Sequence, residues 1–203
     1  MNNIEIREPK QKRSIIKKEK IIDVGWKLIS KNGYHNTNTA EIAKEANVST
    51  GIIYQYFKDK HDILIAGLDK YGNDIFFPKI NKNIKLTNYN ITNTFKEIIT
   101  EYINDHKVSQ EAHEEIMAMV HIDDEVAKYY YEREMSLTYE LADMLDSAGF
   151  KTNDLKEKTH IIVGLIDNLC HEIIFHKHNE LEYENMTNII VKNIEYIIKN
   201  DFI

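Results

Sequence analysis

Chain breakers are scarce here: two prolines and seven glycines in 203 residues. That scarcity argues against a turn-rich sandwich or barrel and for long helices. Cysteine is scarcer still. Cys170 stands alone, which excludes an internal disulfide framework and a cysteine zinc cluster and fits a reduced setting. The N-terminal stretch MNNIEIREPKQKR is polar, without the apolar core of a signal peptide. No run approaches the ~18 apolar residues of a membrane span. A cytoplasmic protein with no membrane partner is expected. Catalytic signatures are also missing: no Gly-x-Ser-x-Gly, no phosphate-binding glycine loop, no His-Glu-x-x-His. A ferritin-like metal enzyme needs two Glu-x-x-His motifs and further carboxylates, and only Glu157-x-x-His160 occurs. Asp167 and His171 lie at i, i+4 and could share an ion with His113 or His121, but satisfied or exposed histidines are the simpler reading. No catalytic residue, metal or cofactor is expected, and an enzyme is not.

What is present is a globular mix, 42% hydrophobic and 29% charged. The net charge of −7 conceals an asymmetry. Residues 1–65 carry twelve Lys and Arg against eight Asp and Glu, a balance of +4. The remainder carries fourteen against twenty-five, a balance of −11. A basic head on an acidic body suits a head that meets a polyanion.

The periodicity is helical almost throughout. Residues 1–12 read as a flexible tail. Ile21, Val24, Gly25, Leu28 and Ile29 form one apolar stripe over residues 13–32, and Gly33 stands at its C-terminal stop. Asn38 caps the next helix, with Glu41 placed to reach back. Ile42, Ala43 and Ala46 line its inner face. Asn47 sits at the turn, Val48 plugs the space behind it, and Ser49 is a second N-cap candidate opening a helix over Thr50–Tyr56. A fourth helix runs from about residue 58 to Phe77 and stops at Pro78. Asn81–Asn90 is a polar connection. Helices follow at about 92–106, 109–121, 123–148, 153–178 (capped by Asn153) and 183–200. The expected fold is all-α with about nine helices. The expected division is an N-terminal helical head over 1–62 and a helical C-terminal domain over 63–203.

Two short helices joined by about three residues, with Ala43 at the crossing, form a helix-turn-helix pattern. The ordered positions extend beyond it. They run Ile21-x-x-Val24-Gly25-x-x-Leu28-Ile29, Gly33-Tyr34-x-x-Thr37, Ile42-Ala43-x-x-Ala46-Asn47-Val48-Ser49-Thr50-Gly51, and Tyr54-Gln55-Tyr56-Phe57-Lys58-Asp59-Lys60. This set resembles the TetR-type (TetR/AcrR) transcriptional regulators. The likeness lies in residues 14–65. Asn47 stands where that family often has Gly, Gly25 where it often has Ala, and Thr50 where it often has Lys.

The resemblance implies a homodimer that places one recognition helix per subunit in the major groove of double-stranded DNA. It points to Thr37, Thr50, Gly51, Tyr54, Gln55, Tyr56 and Lys60 as DNA contacts. Gly51 permits close approach, and Gln55 can make two hydrogen bonds to adenine. The hydroxyls of Thr37, Tyr54 and Tyr56 and the charge of Lys60 suit phosphates. Lys12, Arg13 and Lys17 are further backbone candidates, and Phe57 belongs to the core. The resemblance also implies a C-terminal pocket for an unknown small-molecule effector. Phe95, Ile99, Tyr102, Met117, Tyr131, Met135 and His171 combine apolar bulk with polar tips and are the expected lining. The last two helices, through Ile162, Ile166, Leu169 and Ile173 and through Ile190, Ile194 and Ile197, are the expected dimer seam. The function implied is a repressor released from an inverted-repeat operator by its effector; the alternative is the same fold acting as an activator or through a protein partner without a small ligand.

Overall fold

The computed structural model describes residues 12–72, 85–105 and 108–201. Among these, nine helices form and no strand: α1 Lys12–Asn32, α2 Thr39–Ala46, α3 Thr50–Tyr56, α4 Lys60–Tyr71, α5 Ile91–Asp105, α6 Gln110–Val120, α7 Asp124–Ser147, α8 Leu155–Phe175 and α9 Tyr183–Lys199. The all-α expectation holds. The tail up to residue 11 and the helix end expected at Phe77 and Pro78 lie outside the described residues.

Packing divides the chain into two units. One is Met1–Ile75 with Lys107–Tyr129, and the other is Phe76–His106 with Tyr130–Ile203. The first unit holds α1–α4 and α6. Its core gathers Ile21, Ile22, Ile42, Ala43, Ala46, Ile53, Tyr56, Phe57 and Ile63. Gly25 lies where α1 passes its neighbours: a Cβ there would stand 2.5 Å from Ile63 Cγ2 and 3.6 Å from Ile42 Cδ1. The departure from Ala is therefore a packing requirement. On the outer side Trp26 stacks on Tyr71, ring centroids 5.7 Å apart. Lys70 Nζ bridges Glu19 at 2.7 Å and Asp23 at 2.6 Å. Gly33 ends α1 with φ +87°, and a Cβ there would meet the Glu115 carboxylate of α6 at 2.7 Å. That carboxylate instead accepts the His35 N–H at 3.0 Å.

The second unit packs α5 against α8 and α9, and α8 against α9. Phe95, Ile98 and Ile99 of α5, Ile162, Val163, Ile166, Leu169 and Cys170 of α8, and Val191, Ile194 and Ile198 of α9 are buried. Thr92 donates to Glu195 across α5 and α9 at 3.0 Å. The expected dimer stripe is thus largely this unit's own core. Ile162, Ile166, Leu169 and Ile194 face inward because α8 and α9 bury that side against α5. The outward apolar residues are Ile161 at 55%, Ile189 at 59% and Tyr196 at 59% exposure.

Candidate nucleic-acid interface

The helix-turn-helix is built by its caps. Asn38 is extended, and its side-chain oxygen accepts the Glu41 N–H at 2.9 Å. Among the described residues the return bond from Glu41 is not made, so half of the expected capping box forms. At the other end Asn47 is left-handed, φ 56° and ψ 48°, a region Asn enters more readily than most residues. The Val48 N–H then reaches back to Ala43 O at 2.9 Å and Asn47 N–H to Lys44 O at 3.1 Å, the closing pattern of a helix C-terminus. Val48 packs on the core of this unit as expected. Ser49 occupies the N-cap of α3, but its hydroxyl makes no capping bond; its carbonyl accepts the Ile52 N–H at 2.9 Å.

With Ile53 and Tyr56 turned into the core, α3 presents Thr50, Gly51, Tyr54 and Gln55 to solvent. These are positions i, i+1, i+4 and i+5, a single helical face. A Cβ on Gly51 would meet only Ser49 Oγ, at 3.8 Å, so the fold does not require glycine there. Tyr54 is 40% exposed, and its hydroxyl pairs with Thr39 Oγ1 of α2 at 3.2 Å. Thr39 thus sets the phenol's direction. It was not among the expected contacts, because a pairing fifteen residues away leaves no periodic mark.

The other three expected contacts are engaged elsewhere. Thr37 is buried: its hydroxyl donates to Gly33 O at 2.9 Å and its N–H to Tyr34 O at 3.3 Å. Tyr56 is a core residue at 8% exposure, beside Phe57. The Lys60 ammonium donates to the carbonyls of Tyr34 and Thr37, the latter at 2.7 Å, and lies 4.0 Å from the Tyr34 ring centroid. Burial lowers its pKa, with Glu115 opposing. Lys60 therefore ties the start of α4 to the loop before α2. Lys12, Arg13 and Lys17 are exposed along the first turns of α1.

Beside this face, Asp59, His61 and Asp62 bring ligand-type atoms within 4.8 Å of one another. Local structure already employs them. Asp59 caps Asp62 N–H at 3.1 Å, Asp62 accepts Lys58 N–H at 2.7 Å, and His61 Nε2 lies 2.7 Å from Asp123 Oδ2.

The expected effector lining is dispersed. Met117 belongs to the first unit and the other six residues to the second. Phe95, Ile99 and Tyr102 are buried on α5, whereas Tyr131 and Met135 are exposed. His171 of α8 is half-buried, its ring 5.3 Å from Phe175 and 5.0 Å from His176. The residues whose spacing suits an ion are split likewise, His113 and His121 in the first unit and Asp167 and His171 in the second. No helix among the described residues is long and apolar enough to cross a membrane.

Comparison with known proteins agrees with the geometry of the head. Residues 21–66 match the sequence profile of the family described as bacterial regulatory proteins, tetR family. The Fatty acid metabolism regulator protein of Bacillus subtilis (strain 168) is 45% identical over 76 residues, which are 37% of this chain and 38% of that protein. A TetR-family transcriptional regulator from Mesorhizobium loti MAFF303099 superposes with a TM-score of 0.67 at 19% identity, over 92% of this chain and 97% of its own. A transcriptional regulator from Saccharomonospora viridis, solved in complex with choline, superposes with a TM-score of 0.64 at 17% identity, over 88% and 95%. The two superpositions show a shared fold. Residues 21–66 thus resemble the helix-turn-helix part of the TetR-type transcriptional regulators, and the match spans 28% and 38% of the length of two curated relatives.

Proposed function

We propose that the chain is a repressor that binds an inverted-repeat operator as a homodimer and leaves it when a small effector occupies the C-terminal unit. The observation that carries the DNA-binding part is the outward face of α3. Thr50, Gly51, Tyr54 and Gln55 stand side by side, while every large apolar side chain of α3 is turned away from them. Gln55 supplies a bidentate hydrogen-bonding edge for adenine, and Gly51 lets the helix backbone approach the groove. Tyr54 and Thr39 supply hydroxyls for the phosphate backbone. Lys60 and Thr37 position the loop before α2 rather than reach the DNA, and Tyr56 holds α3 on the core. The basic start of α1 adds non-specific charge.

Two such heads read two half-sites when the dimer spaces them by a helical turn. The dimer surface we assign is the outer side of α8 and α9, where Ile161, Ile189 and Tyr196 are exposed. On α8, Gly164 lies on that side with open space where a Cβ would be, which admits a closely crossing helix. Release follows from differential affinity: an effector that prefers a conformer with mismatched heads lowers operator affinity by that preference, ~1–3 kcal/mol for a typical coupling. The choline bound by the Saccharomonospora protein supports a small polar-headed effector for this fold. The division of roles near residue 62 remains part of this proposal.

The test is binding of the purified protein to DNA from upstream of its own gene. Retention of one palindromic segment, with protection of both half-sites, is the expected result. Failure to retain any palindrome from that region contradicts the proposal.

A further inference from the structure

α6 comes late in the sequence, yet it packs against α1 in the first unit. Its N-cap Ser109 donates its N–H to Ser30 O, near the end of α1, at 3.1 Å. Its first two turns lay carboxylates on the loop between α1 and α2. Glu115 Oε2 accepts the His35 N–H at 3.0 Å. The same carboxylate covers Gly33, where a Cβ would stand 2.7 Å from Oε1. Glu111 Oε1 accepts from Asn36 Nδ2 at 3.0 Å, and that amide also donates to Asn32 O at 2.9 Å. From α4, Lys60 Nζ donates to the carbonyls of Tyr34 and Thr37. Every residue from Tyr34 to Thr37 is therefore held by a charged side chain of α4 or α6. This loop opens directly on the outward face of α3. Asn38 caps α2, and Thr39, the next residue, pairs its hydroxyl with that of Tyr54 at 3.2 Å. Past the far end of α6, Asp123 Oδ2 lies 2.7 Å from Nε2 of His61, the neighbour of Lys60 on α4. α6 and the turn after it thus grip the chain on both flanks of the helix-turn-helix.

We propose that Glu111 and Glu115 are positioning residues for operator recognition. They fix the loop that sets the start of α2 and, through Thr39, the direction of the Tyr54 phenol. The inference rests on the DNA-binding reading above and adds to its machinery a helix outside the helix-turn-helix. Charge alone gives the opposite sign. Carboxylates on the loop beside a DNA-reading face repel a polyanion, so neutralising them would raise affinity for any duplex. A hydrogen-bonded brace acts on geometry instead. Without it Asn38 and Thr39 are free to shift, and base readout needs the side chains of the reading face held in register. Binding to unrelated DNA rests on backbone charge and does not need that register. The brace and the charge are therefore separable in one protein.

The experiment is fluorescence anisotropy of the full-length protein at one salt concentration, with two DNA probes. One is the palindromic segment from upstream of its gene, and the other is an unrelated duplex of equal length. Combining Glu111→Ala and Glu115→Ala should lower affinity for the palindrome by about fivefold or more. Affinity for the unrelated duplex should stay equal or rise. Glu115→Gln keeps a carbonyl oxygen for the His35 N–H and sheds the charge. It should bind the palindrome at least as well as the unaltered protein, whereas Glu115→Ala should bind it more weakly. A purely stabilising role would lower the melting temperature and leave the ratio of the two affinities where it was. If the double variant does not fold, the comparison of Glu115→Ala with Glu115→Gln decides. A folded double variant that binds the palindrome as tightly as the parent overturns the inference. So does equal weakening on both duplexes, or a Glu115→Gln variant as weak as Glu115→Ala. The two levels fail separately. An unaltered protein that does not distinguish the palindrome from the unrelated duplex removes the DNA-binding reading and the inference with it. A protein that distinguishes them, with variants that do so equally well, removes the inference alone.

Discussion

At the scale of single residues, two side chains carry opposite lessons. Tyr54 is exposed on α3, where we propose it meets DNA, and its hydroxyl pairs with Thr39. Replacing it by Phe removes a hydroxyl from an exposed face and leaves the core intact. The expected result is a loss of operator affinity of about 1 kcal/mol, roughly fivefold, with an unchanged melting temperature. Fluorescence anisotropy and a thermal melt check the two halves. Asp167 is the reverse, a residue that opposes folding. Its pKa is raised from the ordinary 3.8 to about 7, so between those values the native state binds a proton that the unfolded chain has released. Stability associated with the protonated carboxyl is present below about pH 4 and lost as pH rises through about 7. Asp167→Asn should therefore raise stability at pH 8 by on the order of 2–4 kcal/mol, with the gain fading toward pH 4. Denaturant melts at the two pH values measure it, and an Asn variant less stable than the parent at pH 8 contradicts it. The sequence offered Asp167 as an i, i+4 partner of His171 for an ion. The raised pKa depends on burial and on the like charge of Glu134, which arrives from another helix.

At the scale of elements, the turn between α2 and α3 was legible because local chemistry determines it. Asn38 caps, Asn47 takes the left-handed conformation, and Val48 closes the helix end, all within ten residues. The misses are long-range. Ser49 lies at a helix start without using its hydroxyl. Asn153 yields the N-cap position to Asp154, which pairs with Lys158 at 3.1 Å. Tyr56 packs on a core drawn from several helices, and Lys60 reaches back to the carbonyls of Tyr34 and Thr37. The packing of α6 with the N-terminal helices likewise has no periodic signature. Two glycines separate structural from functional demand. Gly25→Ala places a methyl 2.5 Å from Ile63 Cγ2, so overpacking of about 1–3 kcal/mol outweighs the ~1 kcal/mol gain in helix propensity. Chemical denaturation should show net destabilisation. Gly51→Ala meets only Ser49 Oγ, at 3.8 Å, and should fold at least as stably, by up to ~1 kcal/mol. Its added methyl sits on the α3 face, and operator affinity should fall. Unchanged affinity would show that this face does not meet the groove.

At the scale of the whole molecule, the expected stripe on α8 and α9 has both interior and exterior sides, and amphipathic periodicity alone does not say which meets a second copy. The exposed Ile161 and Ile189 make the assignment testable. Introducing Asp at both positions should yield a folded monomer at micromolar concentration by sedimentation velocity. A persistent dimer would move the interface elsewhere. The charge asymmetry bears on the central claim, that a basic head of +4 on an acidic body of −11 acts by binding DNA. An acidic body repels the polyanion, so affinity has to come from the head and be released with condensed counterions. The most direct measurement is operator affinity as a function of salt concentration. If the dimer neutralises about six phosphates, the log–log slope is expected near −5. A slope near zero, or affinity that does not depend on the presence of a palindrome, would contradict the account.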